Sequence, residues 1–473
     1  MARRLLRAPA RAHEDPLPGL RATGYRGSVL HTSAPRSSGI VLEPELPICQ
    51  TDLPLDWYQE EFRPYAEEYL ALPDRTPGSV LPWLDRYALP AREHFGDSLL
   101  LLAHFYMGGE IVKLVERYGG TIADSYVLAL QAARNPEKRV IVESAVHFMA
   151  ETIAILSGEH QSVWITNPKA GCTMEMLAKE WMVAPAAEQL VARYGDRLAV
   201  VAYMNTGGAL KALAGRTGGA VCTSSNAHKV VARVRAEGKQ VLFVPDHHLG
   251  RNTAWKLGIP LERVVQLAEP RAWAAGLKLS DGCVPGGLAA LDRAEMILWG
   301  SSCGVHTVFR KEHVAWWRAR GWQVLVHPES PLEVVQAADG AGSTDFLWRA
   351  IAAAPPGARL AIGTEGHFVR NARQQALRRG VQVVHLTEIP EPGFPAAGCG
   401  CATMSRNDPP HLAGMLDLLR RGAAPDLNRV LAGDVVDEVS GRRERLDDAE
   451  RATLIADARR ALERMIEITE SSA

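Results

Sequence analysis

The chain repeats one order of polar tips three times, and each repeat closes on a cysteine. The first copy runs through Ala103-His104-Phe105-Tyr106, Asp124-Ser125, His147-Phe148-Met149-Ala150-Glu151 and Ala170-Gly171-Cys172. The second gives Ala202-Tyr203-Met204-Asn205, Thr223-Ser224-Ser225-Asn226, Pro245-Asp246-His247-His248 and Gly300-Ser301-Ser302-Cys303. The third gives Val326-His327-Pro328-Glu329, Gly342-Ser343-Thr344, Gly363-Thr364-Glu365 and Cys399-Gly400-Cys401. Related units packed around a pseudo-threefold axis bring equivalent positions together at its centre. The expected fold is α/β, three homologous α/β/α three-layer domains around such an axis. One thiol per unit meeting there points to a metal centre.

Short apolar runs followed by polar tips and a helical pattern carry each repeat. Leu99 to Ala103 stops at His104, and Glu110 to Tyr118 then places Ile111, Leu114 and Val115 at helical spacing before Gly119-Gly120. Leu198 to Ala202 before Tyr203 and Gln323 to Val326 before His327 follow the same grammar. Buried parallel strands with helices on both faces need this arrangement, and such sheets bind ligands beyond the carboxyl ends of their strands. The boundaries read as an N-terminal extension over 1–85, repeats over 86–190, 191–312 and 313–425, and a helical extension over 426–473. The second repeat carries an insert around 251–296, expected as a surface excursion. After Cys401 no further strands are expected. Asp447 and Glu450 have capping-box spacing ahead of a stripe of Leu454, Ala458, Leu462 and Met465, the pattern of a packing helix.

At 473 residues with 47% hydrophobic side chains, the chain can bury several cores. A formal net charge of -1 supplies no general field for nucleic acid or anionic lipid, and no apolar run reaches membrane-spanning length. Neither nucleic acid nor membrane is therefore an expected partner. The seven cysteines, at 49, 172, 222, 283, 303, 399 and 401, form an odd set in a long chain without a secretory pattern. A reducing, cytoplasmic setting follows, with thiols free or committed to metal. The first forty residues, rich in Arg, Ala, Ser and Pro, read as a disordered extension rather than a transit peptide, because Glu14-Asp15 and several prolines interrupt any amphipathic helix.

Equivalent placement at the close of three repeats marks Cys172, Cys303 and Cys401 as metal ligands. Cys222 sits inside an apolar strand and reads as core, while Cys399 lies close enough to Cys401 to compete with it. Ser125, Ser224, Ser343 and Thr344 each precede a helical stretch, where hydroxyls and free N–H groups hold a phosphate or carboxylates; capping explains each one alone, but their shared repeat position favours an anion site. His104, Tyr106, Tyr203, Asn205, His327 and Glu329 end strands facing one centre and are the candidate acid, base and orienting groups. His327 and Glu329, two residues apart on an extended segment, are expected on one face.

Together these motifs resemble the quinolinate synthase family. The match runs through His104-x-Tyr106, Asp124-Ser125, Phe148-Met149-Ala150-Glu151-Thr152, Ala170-Gly171-Cys172, Tyr203-x-Asn205-Thr206, Cys222-Thr223-Ser224-Ser225-Asn226 and Pro245-Asp246-x-x-Leu249-Gly250. It continues through Cys303-x-Val305-His306, His327-Pro328-Glu329, Gly342-Ser343-Thr344, Gly363-Thr364-Glu365 and Cys401-x-x-Met404, in order across residues 100 to 405. The resemblance implies one 4Fe-4S cluster per chain on Cys172, Cys303 and Cys401, the Cys-x-x-Met match favouring Cys401 over Cys399, with one iron left open. It implies condensation of iminoaspartate with dihydroxyacetone phosphate to quinolinate, with loss of phosphate and water, for NAD biosynthesis. An L-aspartate oxidase is then the candidate supplier of the imine. Proton transfer falls chiefly to Glu329 and Tyr106, with His104, Tyr203, Asn205 and His327 binding intermediates and Ser125, Ser224, Ser343 and Thr344 at the substrate.

The chain departs from the family at Thr166-Asn167, where Pro-Asp is usual, and at Gly207-Gly208, where Ser-Ala is common. Two other classes use similar residues. A zinc-dependent hydrolase needs ligands near one another, and these thiols are far apart in sequence. A non-catalytic iron-sulfur sensor needs a partner surface or DNA-binding element, and no basic recognition helix is evident.

Overall fold

The structure, a computed structural model, describes residues 52–391, 400–437 and 440–471. The first forty residues, expected as a disordered extension, and Cys399, expected as a competitor of Cys401, lie outside the described residues.

Three sheets organise the described residues, and the first three strands of each share one order. In the first, β1 (Leu99–His104) lies between β2 (Thr121–Ala123) and β3 (Val140–Ser144), and β4 (Ser162–Ile165) pairs with β3. The second repeats this with β5 (Leu198–Tyr203), β6 (Ala220–Cys222) and β7 (Gln240–Val244), then β8 (Val264–Gln266) at the edge beyond β9 (Met296–Leu298). The third has β10 (Gln323–Val326), β11 (Gly340–Ala341), β12 (Arg359–Gly363) and β13 (Gln382–His385). Pairing within each of these sets is parallel. Because the second strand lies on one side of the first and the third on the other, connections leave β1, β5 and β10 in opposite senses from their neighbours. A crevice opens at the carboxyl ends there.

The strands form where the sequence allows burial on both faces: every residue of β1 and of β5 is buried. Helix returns are set by paired glycines. Gly119 (φ +73°) and Gly218 (φ +65°) end their helices in the left-handed region, and Gly120 and Gly219 then pass so close to the central strand that a Cβ would lie 2.4 Å from Leu101 O and 1.8 Å from Val200 O.

Two sequence expectations change. The segment 251–296 is not a surface excursion: Val265 joins β8, and Leu267, Trp273, Leu279 and Leu291 are buried against the second sheet and the helix Glu180–Tyr194. Strands also recur after Cys401. A further strand, β14 (Arg429–Val430), pairs antiparallel with β4, and Val435–Val436 pairs with Arg443–Glu444. Part of the 1–85 extension is ordered, in keeping with its reading as only partly disordered. The helix Pro77–Phe95 crosses its end, buries Val80, Trp83, Leu84, Ala88 and Ala91, and packs on the helix Pro409–Arg420, where Tyr65 also donates to Asp417 at 2.7 Å.

The C-terminal helix, Asp448–Glu470, opens with the expected capping box between Asp447 and Glu450 and buries Leu454, Ala458, Leu462 and Met465. It lies against the helix Gly208–Arg216 so closely that a Cβ on Gly215 would meet Asp457 O at 2.0 Å. No described helix is long and apolar enough to cross a membrane.

Candidate active site

The carboxyl ends of all three sheets line one pocket, built mainly of apolar walls with a few converging polar groups. His104, Tyr106, Tyr203, Asn205, His327, Glu329, Ser125, Ser224 and Thr344 line it together with Cys172, Cys303 and Cys401. Of the residues singled out in the sequence, Ser343 stands apart: it is buried, and its hydroxyl accepts Phe346 N–H at 3.3 Å as the cap of the helix Thr344–Ala353.

Each cysteine follows the strand in the fourth position of its unit, β4, β9 or β13. Cys172 Sγ receives backbone N–H groups of Met174 and Glu175 and, at 3.7 Å, the Asn205 amide. Cys401 Sγ lies 3.2 Å from the Thr403 hydroxyl. Burial pushes the Cys172 thiol up, and so does Cys401; Cys303 is raised by burial and by Glu329, Cys172 and Cys401. Thiols that raise one another lie within charge range of each other, and a cationic centre among them would reverse the sign of that interaction. Cys222 is fully buried in β6, apart from the pocket lining, and Cys283 is buried beside Leu279.

Two carboxylates that the sequence reading left without a role hold the cysteine loops. Asp246 caps the helix His247–Lys256 through His248 and Leu249 N–H and also accepts Cys303 N–H at 2.6 Å. Glu365, at the equivalent place after β12, accepts Phe368 N–H at 2.9 Å and Cys401 N–H at 3.0 Å. Their signal was the recurrence of Pro245-Asp246 and Thr364-Glu365 at one repeat position. In the first unit the equivalent cap is Val146, and the Cys172 loop is tied instead through the family departure: Thr166 donates to Asn407 Oδ1 at 2.7 Å and Asn167 Nδ2 to Arg406 O at 2.8 Å.

Three of the acid–base candidates, Tyr203, Glu329 and Tyr106, are connected through His306 and Thr364. Tyr203 donates to Glu329 Oε1 at 2.6 Å, Glu329 Oε2 lies 2.7 Å from His306 Nδ1, and His306 Nε2 lies 3.1 Å from Thr364 Oγ1. Thr364 contacts the Tyr106 hydroxyl at 3.0 Å, and Thr344 donates to Tyr106 at 3.2 Å. His327 and Glu329 do not share an extended segment as expected: β10 ends at Val326, and a turn closed by Ser330 N–H on His327 O brings the ring within 3.7 Å of the carboxylate. Proline at 328 favours that turn.

Burial alone raises the Glu329 carboxyl, but its neighbours His327, His306 and Tyr203 outweigh it and hold it below the usual carboxylate range. His327 is itself pushed to about 3 by burial and by His306, so at neutral pH it carries no charge. The Tyr203 and His306 contacts therefore hold Glu329 ionised there. Burial also lowers His104 to about 4, with Glu365 opposing. Both neutral rings use Nδ1 as an acceptor, from Tyr106 N–H at 3.2 Å and from Glu329 N–H at 3.4 Å, which leaves the proton on Nε2. Burial raises both Tyr106 and Tyr203, so each is a hydroxyl donor at neutral pH. Asn205 Oδ1 is buried and finds no hydrogen-bond partner among the described residues, an acceptor available to a ligand.

A crevice at strand carboxyl ends, with converging thiols, neutral imidazoles, phenols and one ionised carboxylate, defines an α/β enzyme site for a small polar molecule. Comparison with known proteins gives the family. The model described as quinolinate synthetase A protein matches residues 91–432. The quinolinate synthase of Corynebacterium glutamicum is 37% identical over 407 residues, 85% of this chain and 92% of that protein. That of Streptomyces coelicolor is 37% identical over 390 residues, 82% and 93% of the two chains, and that of Geobacillus kaustophilus 37% over 350 residues, 73% and 88%. The chain belongs to the quinolinate synthase family.

Proposed function

We propose that this chain makes quinolinate from iminoaspartate and dihydroxyacetone phosphate, releasing phosphate and water, as a step toward NAD. The observation that carries this reading is the convergence of Cys172, Cys303 and Cys401, one from each unit, on a pocket that also holds the Tyr203–Glu329–His306–Thr364–Tyr106 chain.

Three thiols free among the described residues, two of them buried, with N–H donors aimed at Cys172 and carboxylates anchoring the Cys303 and Cys401 loops, fit a 4Fe-4S cluster. When bound by three thiolates, such a cluster leaves one iron free to act as a Lewis acid toward a hydroxyl or carboxylate. The protein's own groups then divide the remaining work. His104 and His327, neutral and protonated at Nε2, donate to carbonyl or carboxylate oxygens, and Asn205 Oδ1 accepts from the imine N–H. Ser125, Ser224 and Thr344 hold the phosphate and carboxylates.

Proton removal is assigned to Glu329, with Tyr106 at the other end of the chain. The low pKa of Glu329 belongs to a pocket without substrate; a dicarboxylate beside it raises its proton affinity, since like charges disfavour ionisation. Tyr203 and His306 can then pass or share the proton. An L-aspartate oxidase would supply the imine. The test is direct: anaerobically purified protein, given both substrates, should release quinolinate and inorganic phosphate in equal amounts, and phosphate without quinolinate would refute the assignment.

One observation favours a second reading. A ligand atom each from Cys303, His306 and Glu329 lie within 4.8 Å of one another, a set that can hold a single zinc ion. It would leave Cys172 and Cys401 without a role and would compete with the Tyr203–Glu329 bond. Metal analysis separates the two.

A further inference from the structure

The end of the C-terminal helix touches two segments that carry pocket-lining residues, although this helix lies beyond the residues the family model matches. Thr469 Oγ1 donates to Met465 O at 2.7 Å, which fixes its rotamer, and accepts Asn226 Nδ2 at 2.9 Å. Asn226 uses its other end on the loop after β6, where Oδ1 accepts Thr223 N–H at 2.6 Å. Lys229 Nζ donates to Thr469 O at 3.3 Å. On the side of the first unit, the Tyr126 hydroxyl meets Thr469, and Arg134 lies 3.8 Å from Glu470. Tyr126 follows Ser125 and lines the pocket, as do Thr223 and Ser224.

The polar contacts at Thr469 sit past the apolar stripe that docks the helix. Leu454, Ala458, Leu462, Met465 and Ile468 are buried, and burying such side chains fixes the helix without any help from a hydroxyl at its tip. What Thr469 adds is a tie between two loops from different units. We propose that Thr469 is a positioning residue, holding the Ser125 turn and the Thr223–Asn226 loop at the separation that an anionic substrate group needs. The proposal rests on the reading of those loops as the anion site. The ligand chemistry is a phosphate or carboxylate, bridged by hydroxyls of both loops.

Thr469→Val removes the acceptor and keeps the shape, and Thr469→Ser restores it. Hydrogen exchange of the cluster-loaded protein should show the amides of 124–128 and 223–227 opening about 2- to 12-fold faster in Thr469→Val, the factor for one lost hydrogen bond, with the rest of the chain unchanged. Inorganic phosphate titrated into the same protein should bind more weakly by a similar factor, with Thr469→Ser close to wild type. Exchange that rises throughout the chain, or phosphate affinity equal in Thr469→Val and wild type, overturns the positioning role. Wild-type protein that fails to bind phosphate instead overturns the anion-site reading, and the positioning role with it.

Discussion

Replacing Glu329 by Gln separates proton transfer from orientation, because the two roles differ in size. Gln keeps the volume and one acceptor oxygen, so Tyr203 retains a partner at the 2.6 Å position and only the charge is lost. A hydrogen bond to a charged group exceeds a neutral one by about 1–1.5 kcal/mol, and if Glu329 only orients Tyr203 and His306, turnover should fall about 5- to 13-fold. If Glu329 accepts the proton, the loss is about 10²- to 10⁴-fold, or about 2.7–5.4 kcal/mol of barrier. The larger figure is expected. Quinolinate formation from both substrates is the assay, run beside iron and sulfide analysis, which should match wild type because Glu329 is not assigned to the cluster. Turnover within about 13-fold of wild type would refute the base assignment and move it to Tyr106.

The serines should divide into two kinds. Ser125→Ala and Ser224→Ala remove pocket-lining hydroxyls and should raise KM for the phosphate-bearing substrate by about 10- to 150-fold. Ser343→Ala removes a helix cap, and should cost about 0.5–2 kcal/mol of unfolding free energy with KM unchanged; equal KM effects in all three would erase the distinction. Glu110 provides a test of pH dependence away from the pocket lining. Burial raises its carboxyl to about 6, so between its ordinary pKa of 4.5 and 6 the folded state holds the proton more tightly than the unfolded state. Stability contributed by this group falls as pH rises through that window, and above it the penalty is on the order of 2 kcal/mol. Denaturant unfolding should find Glu110→Gln more stable than wild type at pH 8 and equal to it at pH 4; an equal difference at both would contradict the burial argument.

The parts of the fold legible in the sequence are those that repeat or that bury apolar runs. β1, β5 and β10 read directly because nothing but a strand uses Leu99 to Ala103, Leu198 to Ala202 and Gln323 to Val326 so economically, and one order of the first three strands follows three times. The capping box at Asp447 and Glu450 is local chemistry and reads equally well. Features that depend on distant partners did not read. β8 is three residues long in a segment broken by glycine and proline, and only its edge pairing to β9 makes it a strand. Asp246 and Glu365 look like helix caps in sequence; their second bonds, to the cysteine backbones, are tertiary. The approach of His306 to Glu329 joins two segments that no spacing rule connects. Ser343 caps its helix as Asp124 caps that of the first unit, so Thr344, not Ser343, stands where Ser125 does, an offset the short motifs did not reveal.

The claim that Cys172, Cys303 and Cys401 together hold one iron-sulfur cluster is tested most directly by metal and sulfide analysis of protein purified without oxygen. The account predicts about four irons and four acid-labile sulfides per chain, lost in Cys172→Ala, Cys303→Ala and Cys401→Ala and kept in Cys222→Ala. Stoichiometric zinc without sulfide, or a cluster that survives in all three variants, would contradict it.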